Sequence, residues 1–315
     1  MIIGIDLGGT KIAAALATPS GRIITDIIVP TEAQKGRRQV IANLKKAIHT
    51  LIQGQKIRIS CMGIGVPGPI EYEKGIVIEP PNLPGWKRVN LKKILEKEFK
   101  VPVHVDNDAN CAALAEAYFG AGRNARHFIY ITISTGIGGG IIIDRKLYRG
   151  AIGAAGEFGH MIIDSKGFTC GCGNVGCLEA LGSGSAIKKR SGMDAIAVEL
   201  AARQGDKKAI EVVQETAHYL AIGIANLVNI FNPEMVILGG GVMQMRELLL
   251  DPIRKEFKKY ALRGIKGDIP ECHFLKAERL GSWSPGQDGC LPIFPVFAFL
   301  AVPILKEMPF GTVPG

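Results

Sequence analysis

Cys170, Cys172 and Cys177 lie within eight residues, with His160 ten positions upstream, and together they supply the sulfur and nitrogen donors of a tetrahedral Cys₃His zinc site. Cysteines scattered through a core do not cluster like this. With all four positions filled by protein, the ion is expected to be structural, with no open place for water. Folding around it draws Glu157, His160 and Glu179 together, two carboxylates and an imidazole able to hydrogen-bond vicinal hydroxyls. His160 can hold the ion through one ring nitrogen and a hydroxyl through the other. A second cluster, Asp106-Asn107-Asp108-Ala109-Asn110, places acidic residues where a strand gives way to a helix. Asp108 stands at an N-cap position, and capping is the plain explanation. The chemical one is that an aspartate there takes a proton from a substrate hydroxyl as it attacks a phosphoryl group. Asp106 and Asp108 would share a face if the strand continued, so only one of them is expected to meet substrate.

Three glycine turns each follow a strand-like run: Gly8-Gly9-Thr10, then Thr135-Gly136 with Gly138 to Gly140, then Gly239-Gly240-Gly241. Without Cβ atoms, such turns let a phosphate approach backbone N–H groups. Any one of them alone could be an ordinary hairpin; the recurrence points to a nucleotide. Asp6, Thr10 and Lys11 flank the first turn, and a carboxylate ending an apolar strand suits a place near Mg²⁺, directly or through water. The mononucleotide P-loop pattern is absent. Gly63 to Gly68 and Gly171 to Gly176 match the dinucleotide fingerprint by letters only: Pro67 and Pro69 deny the first a following helix, and the second lies inside the cysteine cluster.

The elements that must position these residues alternate. Ile2 to Leu7, Ile12 to Ala17 and Arg22 to Val29 read as an antiparallel meander. Val40 to Ile52 carries apolar residues on one helical face, Ile57 to Val66 returns as a strand, and helix Leu91 to Phe99 precedes strand Val101 to Val105, which Pro102 places near a sheet edge. From Phe128 the opening device recurs, and a helical stretch from Ala195 to Phe231 leads to strand Met235 to Leu238. Two similar α/β halves around a cleft, residues 1–108 and 109–315, are the simplest architecture. The chain of 315 residues, 47% apolar and 21% charged, suits two such cores and excludes a disordered protein. Its net charge of +9 suits an anionic ligand or plain solubility. The first residues carry no basic segment and Asp6 interrupts the apolar run, so a cytoplasmic protein without a secretory signal is expected. Seven cysteines fit reduced thiols and a metal, with Cys61, Cys111, Cys272 and Cys290 as small core residues. Cys290 to Leu305 has no charge, but its prolines mark it as buried and not membrane-spanning. Trp86 either lines a sugar subsite or packs.

In order along the chain, GIDLGGTK at the start, VPGP at Val66 to Pro69, DNDAN at Asp106 to Asn110, TGIGGG at Thr135 to Gly140, EFGH at Glu157 to His160, CGCGNVGCLE at Cys170 to Glu179 and LGGGV at Leu238 to Val242 resemble the ROK family of sugar kinases and regulators. The resemblance implies the actin-like ATPase (ribonuclease H-like) fold, with two domains closing on ATP·Mg²⁺ and a hexose. It implies Asp108 as catalytic base and Gly68, Asn107, Asp108, Glu157, His160 and Glu179 as sugar contacts. It further implies His160, Cys170, Cys172 and Cys177 as zinc ligands, and Asp6, Gly8, Gly9, Thr10, Lys11, Thr135, Gly136, Gly138, Gly239, Gly240 and Gly241 as the nucleotide and Mg²⁺ site. The expected activity is transfer of phosphate from ATP to the 6-hydroxyl of glucose, at the head of glycolysis, by a homo-oligomer (dimer or tetramer) with no nucleic-acid or membrane partner. An N-acetylmannosamine or N-acetylglucosamine kinase would need room beside the 2-position, and the loop Pro81-Asn82-Leu83 to Gly85-Trp86 looks like the glucokinase version. A non-catalytic sugar-sensing regulator is the alternative of another class. The first strand begins at Ile2, so no helix-turn-helix of a repressor is expected before it. Ser284 to Gly315, Pro-broken and Phe-rich, departs from the glycine- and alanine-rich last helix of the family: either this end is divergent or its reading frame has changed.

Overall fold

Runs of Ile and Val with glycine at their ends favour strands, and the chain opens with three of them. The computed structural model describes residues 1–54 and 57–262, and the backbone of residues 273–274. In the first unit, β1 (Ile2–Leu7), β2 (Lys11–Ala17) and β3 (Ile23–Pro30) make the expected antiparallel meander. Helix α1 (Arg37–Ile52) buries Val40, Leu44, Ala47, Ile48 and Leu51 and leads to β4 (Cys61–Val66), parallel to β1. Short strands β5 (Ile70–Glu71), β6 (Ile76–Val77) and β7 (Val89–Asn90) form a small separate sheet. Helix α2 (Leu91–Phe99), capped by the Asn90 side chain, then brings the chain to β8 (Val103–Asn107), parallel to β4. The sheet order is β3-β2-β1-β4-β8, so the strand after Pro102 does lie at an edge.

The second unit repeats that plan. Strands β9 (Phe128–Ile133), β10 (Ile137–Ile143) and β11 (Lys146–Tyr148) form a meander. After α4 (Leu178–Gly182), α5 (Gly184–Ser191), α6 (Ala195–Arg203) and α7 (Lys207–Phe231), β12 (Met235–Gly239) pairs parallel to β9. Helix α8 (Arg246–Tyr260) is followed by β13 (His273–Phe274), parallel to β12, which gives the order β11-β10-β9-β12-β13. Each unit is thus an α/β layer with the same sequence of antiparallel and parallel pairings.

Three expectations need correction. The strand expected from Ile57 begins only at Cys61. The helical stretch from Ala195 to Phe231 is two helices, because Gly205 turns at φ +87° and Asp206 caps a new start by accepting from Ala209 N–H. The division of the chain falls after Gly120, not at residue 108: α3 (Asp108–Tyr118) packs on β4 and β8 and so belongs to the first sheet. The first unit also takes Arg149–Ala155, while Ala121–Tyr148 and, among the described residues, the chain from Gly156 onward belong to the second. The readings of Cys290 to Leu305 and Ser284 to Gly315, and those of Cys272 and Cys290, lie outside the described residues. Among the described residues no helix is long and apolar enough to cross a membrane.

Candidate functional site

In the first unit, the corner between β8 and α3 is set by side-chain hydrogen bonds. Asn107, not Asp108, is the N-cap: its Oδ1 accepts from the N–H groups of Ala109 (2.9 Å) and Asn110 (3.2 Å). Asp108 is the first helical residue, partly exposed, with its own Oδ1 accepting from Ala109 N–H at 2.8 Å. Asn107 also donates through Nδ2 to the carbonyl of Gly68 at 3.4 Å. Gly68 turns at φ +89°, and a Cβ there would stand 3.0 Å from Pro80 Cα, so VPGP, DNDAN and the Pro-Asn loop meet at one point. Trp86, 1% exposed, packs in the core of this unit, which decides between its two readings.

Asp6, next to last in β1, pairs with Gly65 of β4, which in turn pairs with Asp106 of β8. Burial, and then the charge of Asp108, push the Asp6 carboxyl from 3.8 up to about 7, against the opposing pull of Lys11. A carboxylate raised by its own burial and by a neighbouring carboxylate is suited to a cation beside it, the place expected of Mg²⁺. The native state therefore holds this proton to higher pH than the unfolded chain does. Stability from Asp6 is fully present below about pH 3.8 and is lost as pH rises through about 7. In magnesium-free buffer, Asp6→Asn is expected to be the more stable protein above pH 7, by up to about 4 kcal/mol at 1.36 kcal/mol per unit. Thermal melts at about pH 5 and about pH 8 check this: the advantage of the variant must grow between them.

The three glycine turns are built differently. The first is a tight hairpin, with Gly8 N–H donating to Lys11 C=O (3.0 Å) and Thr31, a buried residue absent from the sequence reading, donating its hydroxyl to Gly8 C=O (2.6 Å). A Cβ on Gly9 would lie 2.7 Å from Asn82 Cβ. Thr10 and Lys11 are exposed beyond it. In the second unit, Ser134 N–H donates to Gly136 C=O (2.8 Å) to close the turn that carries Thr135, and Gly138 sits opposite Thr132 in β10. Gly240, at φ +93°, packs so closely that a Cβ would meet Ile133 C=O at 2.3 Å. Gly239 closes β12 and Gly241 opens the 3₁₀ turn before α8. The start of α5 joins the same point: Gly184 and Ser185 donate to the carbonyls of Ser134 (2.7 Å) and Thr135 (3.2 Å). The second and third turns therefore pack on the start of α5, whose first N–H groups are already taken: those of Gly184 and Ser185 by the turn carbonyls and that of Ala186 by the Ser183 hydroxyl (3.2 Å). The Ser183 cap of α5 was the missed signal: a serine ahead of a helical run.

The cysteine motif forms a closed knuckle in the second unit. Cys172 Sγ and Cys177 Sγ are 3.7 Å apart, Cys170 Sγ and His160 Nδ1 are also 3.7 Å apart, and all four donor atoms lie within 4.8 Å of one another. A tetrahedral ion with Zn–S bonds of ~2.3 Å has donor edges of about 3.8 Å, so the cluster has the size and donor chemistry of that site. Gly176 is required at the hairpin, since its φ is +78° and a Cβ would overlap Asp164 C=O. His160 turns Nδ1 to the thiols and Nε2 toward Glu157 Oε2 at 3.9 Å. Partial burial raises the Glu157 carboxyl above its ordinary range, with His160 opposing and Glu179 adding to it. Glu179 reaches two ways: Oε2 accepts from Ile137 N–H (2.9 Å), and Cys170 Sγ donates to Oε1 (3.8 Å). A Cβ on Gly136 would sit 2.3 Å from that carboxylate, so the TGIGGG turn and the knuckle share one side chain.

A model of the ROK family matches residues 2–281. A glucokinase of Halalkalibacterium halodurans is 38% identical over 82% of this chain and 86% of its own length. A xylose repressor of Caldicellulosiruptor bescii is 39% identical over 81% of this chain, which spans 69% of the repressor's length. The crystal structure of a ROK family glucokinase from Streptomyces griseus in complex with glucose and AMPPNP matches with a TM-score of 0.73 and 35% identity, covering 87% of this chain and 92% of that one.

Proposed function

The chain belongs to the ROK family, with its actin-like ATPase fold, and from that premise we propose that it is an ATP-dependent hexose kinase of the glucokinase type. The likeness to glucokinases over most of the chain carries this reading. Asp108 takes the proton of the sugar 6-hydroxyl, the freed oxygen attacks the γ-phosphorus, and ADP leaves. Asp108 is the first residue of α3, whose N-cap is its neighbour Asn107, and its own Oδ1 accepts from Ala109 N–H. Gly68 and Asn107 in the first unit, and Glu157, His160 and Glu179 in the second, are the residues assigned to sugar hydroxyls, His160 turning Nδ1 to the thiols and Nε2 away from them.

Within each unit, backbone N–H groups of the glycine turns are assigned to the phosphates of ATP: the Gly9-Thr10 turn in the first, and the Thr135-Gly136 and Gly239 to Gly241 turns in the second, while Gly8 N–H and Ile137 N–H are spent inside the protein. Asp6 is the residue suited to Mg²⁺, which when bound with ATP offsets the charge of the phosphates. His160, Cys170, Cys172 and Cys177 hold zinc, whose part is structural because protein fills its four positions. A non-catalytic sugar-responsive regulator is the second reading, favoured by the likeness to a xylose repressor. One assay separates them: ADP release measured with glucose, mannose, fructose, N-acetylglucosamine and N-acetylmannosamine in turn. Turnover is expected with glucose. Sugar binding without ADP release from any of the five would replace the kinase by the regulator.

A further inference from the structure

A buried charge needs a partner, and Asp106, 2% exposed, has one that lies 43 residues away in the chain. Arg149 donates to Asp106 Oδ2 through Nε (3.0 Å) and through a terminal guanidinium nitrogen (2.7 Å), the forked geometry that only arginine provides. The guanidinium carbon stands over the Tyr72 ring, 3.8 Å from its centre. Arg149 opens the segment Arg149–Ala155, which belongs to the first unit although the chain on both sides of it belongs to the second. That segment is closed on itself by Ala155 N–H donating to Arg149 C=O (3.1 Å), and Gly153 packs so tightly that a Cβ would meet Ile70 C=O at 2.8 Å. The arginine is therefore delivered from a seated loop.

The other oxygen of Asp106 faces the helix start. Oδ1 accepts from Asn107 N–H (2.8 Å) and from Asn110 Nδ2 (3.1 Å). Asn110 is 1% exposed, and its Oδ1 has no hydrogen-bond partner among the described residues. An orphaned buried oxygen is costly, so the amide is held in this orientation by Asp106. Asp106 thus orients the residues on both sides of Asp108, and Arg149 orients Asp106.

We propose that Arg149 is a positioning residue for the phosphoryl-transfer step, holding Asp106 so that Asn107 and Asn110 fix the place of the Asp108 carboxylate. This rests on the kinase reading above. The expected signature is a loss confined to turnover: Arg149→Lys, which keeps the charge but loses the fork, should lower kcat about 10-fold with the sugar KM changed less than about 3-fold. Asp106→Asn should do the same, and the double variant should be no worse than the worse single one, because both break one linkage. Arg149→Ala should lose more, with part of the rate restored by millimolar methylguanidinium. Hydrogen exchange at the amides of Ala109 and Asn110 should be several-fold faster in Arg149→Lys than in the parent, a readout that does not depend on catalysis. If the parent protein releases no ADP with any sugar, the kinase reading fails, while the exchange measurement still decides whether Arg149 orders this corner. Unchanged kcat in Arg149→Lys, multiplicative losses in the double variant, or unchanged exchange at both amides would overturn the proposal.

Discussion

Asp108→Asn is expected to lose ~10³-fold in kcat, within the span of 10²–10⁴ attributed to a general base, while its affinity for glucose changes by only a few-fold. The structure gives the reason the two effects should separate. The cap of α3 is Asn107, whose Oδ1 satisfies the first helical N–H groups, so the substitution removes no cap. Asparagine at 108 still offers an oxygen to Ala109 N–H in place of the carboxylate oxygen that accepts there at 2.8 Å. The charge lost from the first turn is worth about 0.3–1 kcal/mol against the helix dipole, too little to unfold the unit. Removing it also relieves Asp6, whose carboxyl is raised in part by Asp108. The variant should therefore fold, bind and fail to react. Calorimetric titration with glucose beside an ADP-release assay checks both halves; a variant that keeps more than about a tenth of the parent turnover would take Asp108 out of the proton transfer.

What the sequence made legible follows from how locally each feature is encoded. The knuckle is local: three cysteines and a histidine within 18 residues must fold near one another, and their donor atoms do. The repeated strand–turn–strand device is also local, since apolar period and glycine position are read over fewer than twenty residues, and both meanders form as expected. Asp108 as N-cap was one residue off because two cap-competent residues stand side by side and only backbone geometry chooses Asn107. The boundary at 108 failed for a related reason: a strand–helix junction was taken for an interdomain one, whereas the buried face of α3 belongs to the sheet it follows. Arg149 and Thr31 left no pattern in the sequence, because their partners lie 43 and 23 residues away. The signal that pointed to Arg149 was chemical: an aspartate on a buried strand needs a cation, and counting unpaired charges would have asked for one.

Removing the metal is expected to have an effect of similar size but a different character. Cys177 is fully buried and stands at the N-cap of α4, two residues before Glu179, whose Oε2 holds Ile137 N–H at the head of β10. On the kinase reading, an ion held there would anchor the short helix that carries Glu179 and so brace the TGIGGG turn. Without a cation the three thiols suit each other poorly: Cys172 is drawn down to about 7, first by Asn174 N–H, while burial pushes Cys177 up to about 12. Three sulfurs this close do not all ionise unless a cation shares their charge. Cys177→Ser should accordingly carry well under the one zinc per chain expected of the parent, lose about 100-fold in turnover, and show lower thermal stability. Cys61→Ser, altering a partly exposed thiol outside the cluster, should keep both zinc and activity. Because protons compete with the ion for its thiolates, zinc should also be released as pH falls, with activity lost in parallel and restored by added zinc at neutral pH. Elemental analysis and ADP release on the same preparations test this. Full zinc and full turnover in Cys177→Ser would leave α4 and Glu179 standing on packing alone.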